Sequence, residues 1–505
     1  MGVAILLTRV IGFVRERLFA HYFGNSELAD AFRAALRIPN AIRNLLGEGT
    51  LSASFIPVYA GMLARGERDD ARTLAGTVAS LLVVVTAAAA LVGVLLAPVI
   101  TAAVAPGFAG PTRELTVRLV QILFPMFGLT ILAAWCLGVL NSHGRFFLSY
   151  AAPAVWNIAQ IATLVTLGGV LAGARLAVAL AVGALVGSGL HLALQLPAAL
   201  RLVGGVRWSL NLEGPGVRRV LRTWGPVVFG AGVVQISSVI DTQLGSLLGA
   251  GAVAVLGNAQ LVALLPISLF GVSVAAAALP ELSRDATGPD ADVVRTRLAD
   301  ATRRIVFFVV PSAFAFAALG QPIVGTLFQT GRFDAADTEL VAGVLAAYAI
   351  GLLGQASVKL FSSGFYALGD TRTPVKIAIL AVAVSAGTGA ALMQVLGPAG
   401  IALGAALGAY VNVTLLVIRL ERRLGPIVGA GDRRPLAAVL LGATLGAGAG
   451  AAVVTTLAAA PLGVGCVAGL AAFGLAYGTV TVALGHAEAR RLLRAIRRRP
   501  RPDDA

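Results

Sequence analysis

"AGTVASLLVVVTAAAALVGVLLAPVI", residues 75–100, contains no charged side chain. A helix needs about twenty apolar residues to cross roughly 30 Å of hydrocarbon. In lipid, only a helix or a closed barrel satisfies its own backbone N–H and C=O groups. The stretch therefore reads as a membrane span. "LAAVLLGATLGAGAGAAVVTTLAAA", residues 436–460, repeats the pattern near the other end, and similar runs recur along the 505 residues with no soluble domain between them. The whole chain is 58% hydrophobic and 12% charged, with a mean hydropathy of +0.87. These values exclude an ordinary soluble protein and predict an all-α polytopic membrane protein with about fourteen spans.

The net charge of +15 is informative through its placement. Loops that follow even-numbered spans hold Arg65, Arg68 and Arg72, then Arg145, the run Arg201 to Arg222, the run Arg284 to Arg304, Arg372 with Lys376, and Arg419 to Arg434. The odd-numbered loops hold Arg113, Arg175 and Arg332. Under the positive-inside rule this alternation puts both termini in the cytoplasm. The tail "RRLLRAIRRRPR", residues 490–501, reads as a topology anchor that touches anionic lipid, and no nucleic-acid role is expected. Cys136 and Cys466 lie far apart within apolar spans, which gives no support to a disulfide. His21, His143, His191 and His486 are scattered singly, so they read as packing or surface residues and no metal site is expected. The first span carries no small-residue cleavage site, so no cleavable signal peptide is expected.

Two weak internal echoes suggest two halves. "GVLNSHGRFFLSYAAPAVWNI" (138–158) resembles "GFYALGDTRTPVKIAI" (364–379), each a small-residue turn with an arginine before a proline-initiated span. "FIPVYAGML" (55–63) has its counterpart in "ALPELSRDA" (278–286), and both pairs repeat at an offset of about 220 residues. "RLVGGVRWSLNLEGPGVRRVLR" (201–222) reads as an amphipathic segment on the membrane surface that joins the halves. The sixty glycines, spread through the spans with alanine, point to close helix packing in lipid.

Charge is concentrated in the first two spans, where lipid ought to be. Arg9, Arg15, Glu16 and Arg17 fall in the first, and Asp30, Arg33, Arg37, Arg43 and Glu48 in and around the second. Each charge at the bilayer centre costs about 2.5 kcal/mol or more unless it finds a partner or a wet cavity. On an ideal helix Arg9 and Glu16 share a face, while Arg15 sits about 120° from Arg9; a bend at Gly12 would let both arginines reach one site. Asp30, Arg33 and Arg37 form one stripe on which Asp30 can pair with Arg33, before Pro39 interrupts it. Glu16, Arg17, Arg33 and Glu48 fit mutual neutralisation or the membrane interface. Arg9, Arg15 and Arg43 leave a surplus of positive charge. Guanidinium forks grip phosphate bidentately, so a phosphorylated or diphosphate head group is the ligand this surplus suits. Lys359 adds a cation to an apolar span, and Asp241 is open to two readings, as a cation ligand or as the partner of a distant arginine. No nucleophile elbow, phosphate-binding loop or histidine pair is present. Any driving force is then an ion gradient, the membrane potential or consumption of product rather than ATP hydrolysis by this chain, and no cofactor is expected.

"TRVIGFVRERLFAHYFGNSELADAFRAALRIPNAIRNLLGEGTLSASFIPVYA" (8–60), "LFQTGRF" (327–333) and "GFYALGDTRTPVKIA" (364–378) resemble the MurJ (MviN) family of lipid II flippases, within the multidrug/oligosaccharidyl-lipid/polysaccharide exporter superfamily. The likeness extends over essentially the whole chain. It implies an N-lobe over residues 1–202, a cytoplasmic linker over 203–220 and a C-lobe over 221–425. Two further spans over 426–486 would form a groove for a lipid tail, and 487–505 a basic tail. It further implies a monomeric protein of the bacterial inner membrane that carries lipid II, the undecaprenyl-diphosphate-linked disaccharide pentapeptide, from the cytoplasmic to the periplasmic leaflet by alternating access. Arg9, Arg15, Asp30 and Arg43 match the family's cavity residues; Arg37, Glu48 and Lys359 also stand at positions typical of it. Asp241 resembles the acid of a sodium site whose partners here would be Ser385 and Gly389, so sodium or membrane-potential coupling is the expectation. Leu261 stands where the family commonly has an arginine, Arg33 where it has an aromatic residue, and the resemblance implies a start about ten residues upstream. The alternatives are another exporter of the superfamily, for multidrug or polysaccharide-lipid cargo, and a paralogue that binds without transporting. An enzyme acting on a polyprenyl-linked sugar would need larger extracytoplasmic loops than this chain has.

Overall fold

The computed structural model describes residues 2–206, 208–285, 291–427 and 433–497. The helices in chain order are α1 (Gly2–Phe23), α2 (Glu27–Leu46), α3 (Glu48–Ala64), α4 (Arg68–Leu95), α5 (Ala97–Val104), α6 (Gly110–Ser142), α7 (Phe146–Ala151), α8 (Pro153–Leu167), α9 (Gly173–Val203) and α10 (Pro215–Ser246). They continue as α11 (Ala252–Pro266), a π-helical turn (Ile267–Val272), α12 (Ser273–Asp285), α13 (Ala291–Phe328), α14 (Ala335–Ala367), α15 (Arg372–Leu396), α16 (Pro398–Leu424), α17 (Arg433–Thr456), α18 (Leu462–Ala483) and α19 (Ala487–Arg497). Among the described residues, eleven helical stretches are long and apolar enough to cross a membrane. The other three expected spans fall on α1, on α2 with α3, and on α10. Within α1 four charges interrupt the apolar run, α2 carries five, and α3 is only 17 residues long.

Local sequence explains several boundaries. Ser26 accepts a hydrogen bond from the Ala29 N–H at 3.4 Å and so caps α2, with Glu27 and Asp30 in the first turn where the helix dipole favours acids. The helix then passes straight through Pro39 and stops at Gly47, whose N–H returns to the Arg43 carbonyl at 2.7 Å. Pro39 therefore does not end the helix. α1 runs unbroken across Gly12. In α13 the break comes at Leu319 (φ −117°, ψ 17°), three residues before Pro322, where the proline ring collides with the preceding turn.

By internal contacts the chain divides into two compact units. The first comprises Met1–Ala254 with Thr330–Asp334. Its centre is α6, whose Leu119, Leu123, Phe127 and Ile131 are fully buried against α2, α4 and α9. Thr330–Asp334, which begins within the LFQTGRF motif, docks on the end of α1. The Arg332 N–H donates to the His21 carbonyl at 2.8 Å, and His21 Nδ1 pairs with the Thr330 hydroxyl at 2.9 Å. Between α9 and α10, Trp208, Leu210 and Leu212 are exposed at every second position, and the Ser209 N–H donates to Ser80 Oγ at 3.2 Å. The segment is amphipathic, but with the period of an extended chain rather than a helix.

The second unit comprises Val255–Gln329 and Ala335–Ala505. α14 is its most enclosed helix, with α13 and α16 packed along it. At the seam between α15 and α16, a methyl group on Gly404 would sit 2.5 Å from the Gly389 backbone nitrogen and 2.8 Å from the Ser385 carbonyl oxygen. Only glycine permits this approach, as the abundance of small residues predicts.

Candidate functional site

The charged residues of α1 and α2 do not gather at one point. Arg15 and Arg33 both bind Glu16, Arg33 at 3.1 Å, so one carboxylate is shared by two guanidinium groups. All three side chains are largely enclosed, between 15% and 18% exposed. Each arginine also lies over an aromatic face. The guanidinium carbon of Arg15 is 4.7 Å from the Trp156 ring centroid on α8, and that of Arg33 is 5.2 Å from Phe19. Such stacking suits the planar, weakly hydrated guanidinium and offsets part of its desolvation.

Asp30, 1% exposed, has a different task. Its two oxygens accept hydrogen bonds from the backbone N–H groups of Gly251 (2.6 Å) and Ala254 (2.7 Å), so it caps the N-terminus of α11 from more than 200 residues away. Arg37 donates from Nε to the Thr242 hydroxyl at 2.7 Å, and Asp241, beside that threonine on α10, is within electrostatic reach of Arg37. Of the two readings of Asp241, this neighbourhood favours an arginine partner. Among the described residues, no group of three His, Cys, Asp or Glu side chains could hold a metal ion.

Arg43 lines a cavity of about 300 Å³ together with Asn44, Thr130, Trp156 and His191. Trp156 thus joins two of the expected residues: Arg15 lies on its ring and Arg43 shares its cavity. His191 is buried and hydrogen-bonded to Gln195 at 3.0 Å. The sequence alone reads this histidine as a packing or surface residue. Its spacing from Gln195, i and i+4 on an otherwise apolar helix, was the available signal. The expected Arg9 is exposed on α1, and Lys359 is exposed on α14 in the second unit. Ser385, half-buried on α15, also belongs to the second unit, whereas Asp241 belongs to the first. The side chain of Glu48, the first residue of α3, lies outside the described residues.

A bundle of membrane-crossing helices with arginines on its first two helices defines a class, the polytopic helical membrane proteins. The fold resembles an inward-facing multidrug-resistance MATE family transporter of the MOP superfamily with a TM-score of 0.65, at 15% identity over 83% of this chain and 94% of that one. It resembles a lipid II flippase MurJ in an inward closed conformation more closely. There the TM-score is 0.77 at 23% identity, covering 97% of this chain and 99% of that one. The family model described as lipid II flippase MurJ matches residues 19–483. The lipid II flippase MurJ of Burkholderia cenocepacia is 35% identical over 424 residues, 83% of this chain and 82% of that protein. The chain belongs to the MurJ family and is a multi-pass protein of the inner membrane. It is a transporter rather than an enzyme.

Proposed function

We propose that this chain carries lipid II from the cytoplasmic to the periplasmic leaflet by alternating access, acting as a monomer with both termini in the cytoplasm. The observation that carries this reading is that Trp156 holds Arg15 on its ring and shares a cavity of about 300 Å³ with Arg43. A guanidinium in a partly dehydrated cavity stabilises a diphosphate, and the indole offers an apolar wall to the group that follows it. Arg15 is held ready by Glu16, which an incoming diphosphate would displace as its partner. Asp30 serves the site by fixing the start of α11. Arg9, Arg37, Glu48 and Lys359 act along the path of the substrate or in gating. The proximity of Asp241 to Arg37 favours coupling to the membrane potential over a sodium site built on Asp241 and Ser385. Residues 1–202 and 221–425 then work as the two lobes, 203–220 as their linker, 426–486 as the lipid-tail groove and 487–505 as the basic tail.

Complementation tests the reading. The chain is expressed in bacteria depleted of their own lipid II flippase, and the appearance of labelled lipid II in the outer leaflet is followed. Rescue by the wild type, with loss in Arg43→Ala and Arg15→Ala at equal membrane expression, is the expected outcome. Rescue that survives both substitutions would remove the diphosphate grip. Failure of the correctly inserted wild type would favour a binding paralogue, a reading to which Leu261 in place of the family's arginine also points.

A further inference from the structure

A second pair of arginines stands apart from this site. α6 and α9, packed side by side in the first unit, both end beside one cleft. Arg145 follows the end of α6 and Arg201 lies in the last turn of α9. Both are exposed, and both line one open cleft of about 540 Å³ whose remaining wall is apolar and includes Leu148 and Leu202. Phe146 and Phe147, 45% and 67% exposed, stand at its edge.

Several arginines elsewhere in the chain meet an acid. Arg65 is bonded to Glu67 at 2.7 Å, Arg303 to Asp300 at 2.9 Å, Arg423 to Asp370 at 2.8 Å and Arg491 to Glu488 at 2.6 Å. Among the described residues neither Arg145 nor Arg201 has such a partner. The sequence explains why: between Glu114 and Glu213 there is no aspartate or glutamate at all. Two cations without an acid, at the ends of two membrane-crossing helices and over an apolar cleft with two outward phenylalanines, match one chemistry. An anionic phosphodiester with hydrocarbon attached satisfies both parts, the phosphate between the guanidinium groups and an acyl chain along the cleft.

We propose that the cleft between the ends of α6 and α9 is a binding site for an anionic glycerophospholipid of the cytoplasmic leaflet, held by Arg145 and Arg201. The site is separate from the cavity of Arg43 and does not depend on what that cavity carries.

The test uses the full chain in vesicles of phosphatidylcholine with photoactivatable phosphatidylglycerol at increasing fraction, and reads the labelled peptides by mass spectrometry. Labelling is expected at residues around 145–148 and 198–202. In Arg145→Gln/Arg201→Gln the affinity at these peptides falls roughly twenty-five-fold, about fivefold for each basic residue removed. Each single variant falls about fivefold, so the measurement does not rest on the double variant alone. Photoactivatable phosphatidylcholine is expected to label the variants and the wild type alike. The proposal is overturned if phosphatidylglycerol labels these peptides no better than phosphatidylcholine does. It is equally overturned if the arginine variants leave labelling unchanged, or if inorganic phosphate at matched concentration displaces the lipid.

Discussion

Two turns of this molecule, 225 positions apart in the chain, share a backbone and differ in chemistry. After α6, the Gly144 N–H donates to the Asn141 carbonyl at 3.1 Å and the Arg145 N–H to Leu140 at 2.8 Å. After α14, the Gly369 N–H donates to Tyr366 at 3.0 Å and the Asp370 N–H to Phe365 at 2.9 Å. Both glycines have positive φ, 72° and 74°. The next residue decides the rest. Asp370 accepts bonds from the N–H of Arg372 (3.1 Å) and of Thr373 (3.0 Å), from the Thr373 hydroxyl (2.8 Å) and from Arg423 (2.8 Å). Arg145, at the matching place, has no acid to meet. One turn is knitted to its neighbours and the other leaves its charge available, so a repeated backbone does not carry a repeated function.

The largest contrast is expected from removing the two side chains. Asp370→Ala deprives several donors at once and should cost about 2 kcal/mol. Arg145→Ala should stay within about 0.5 kcal/mol. Thermal unfolding of both variants in the same detergent measures the difference, and equal losses would break the comparison. The backbone likeness is checked by Gly144→Ala and Gly369→Ala. A methyl group at either position meets no atom within 4 Å, so each substitution costs only the strain of a left-handed residue, about 1 kcal/mol. Clearly unequal costs would mean that the two turns are not equivalent.

Acid sharpens the same contrast. The Thr373 backbone N–H, then its hydroxyl, then Arg423 hold the Asp370 carboxyl at about 2, below its ordinary 3.8. A group lowered in the folded state contributes stability that is complete above its unfolded pKa and is lost as pH falls through the folded one. The gap in unfolding temperature between wild type and Asp370→Asn should therefore be constant above about pH 5 and shrink between about pH 4 and pH 2. Arg145→Gln should show no such window. The smallest effect belongs to Arg423→Gln. Its side chain is 48% exposed, so its loss should cost well under 1 kcal/mol and less still in high salt.

The apolar run at 75–100 and its relatives made the helical membrane fold legible, because a span needs only length and the absence of charge. The boundary within the second span was not legible. Pro39 is the stronger breaker on paper, yet lipid-embedded helices absorb a proline, and the chain turns where Gly47 can bring its N–H back to Arg43. The surplus of arginine on the first two spans points to Arg9, Arg15 and Arg43; Arg15 lies on the Trp156 ring and Arg43 lines a cavity with Trp156, while Arg9 is exposed on α1. Asp30 was placed beside Arg33 by helical spacing, but its partners, Gly251 and Ala254, come from a distant part of the chain that no local pattern marks. His191 was passed over for a similar reason, since a lone histidine in an apolar helix gains meaning only from the cavity wall it joins.

The seam at Gly404 has a mechanical consequence. Where two backbones touch with no side chains between them, there are no rotamers to exchange and nothing to compress, so α15 and α16 slide or tilt only as one stiff plank. Bending in the second unit is then left to places where the helical ladder is already open, and the break at Leu319 in α13 is one such joint.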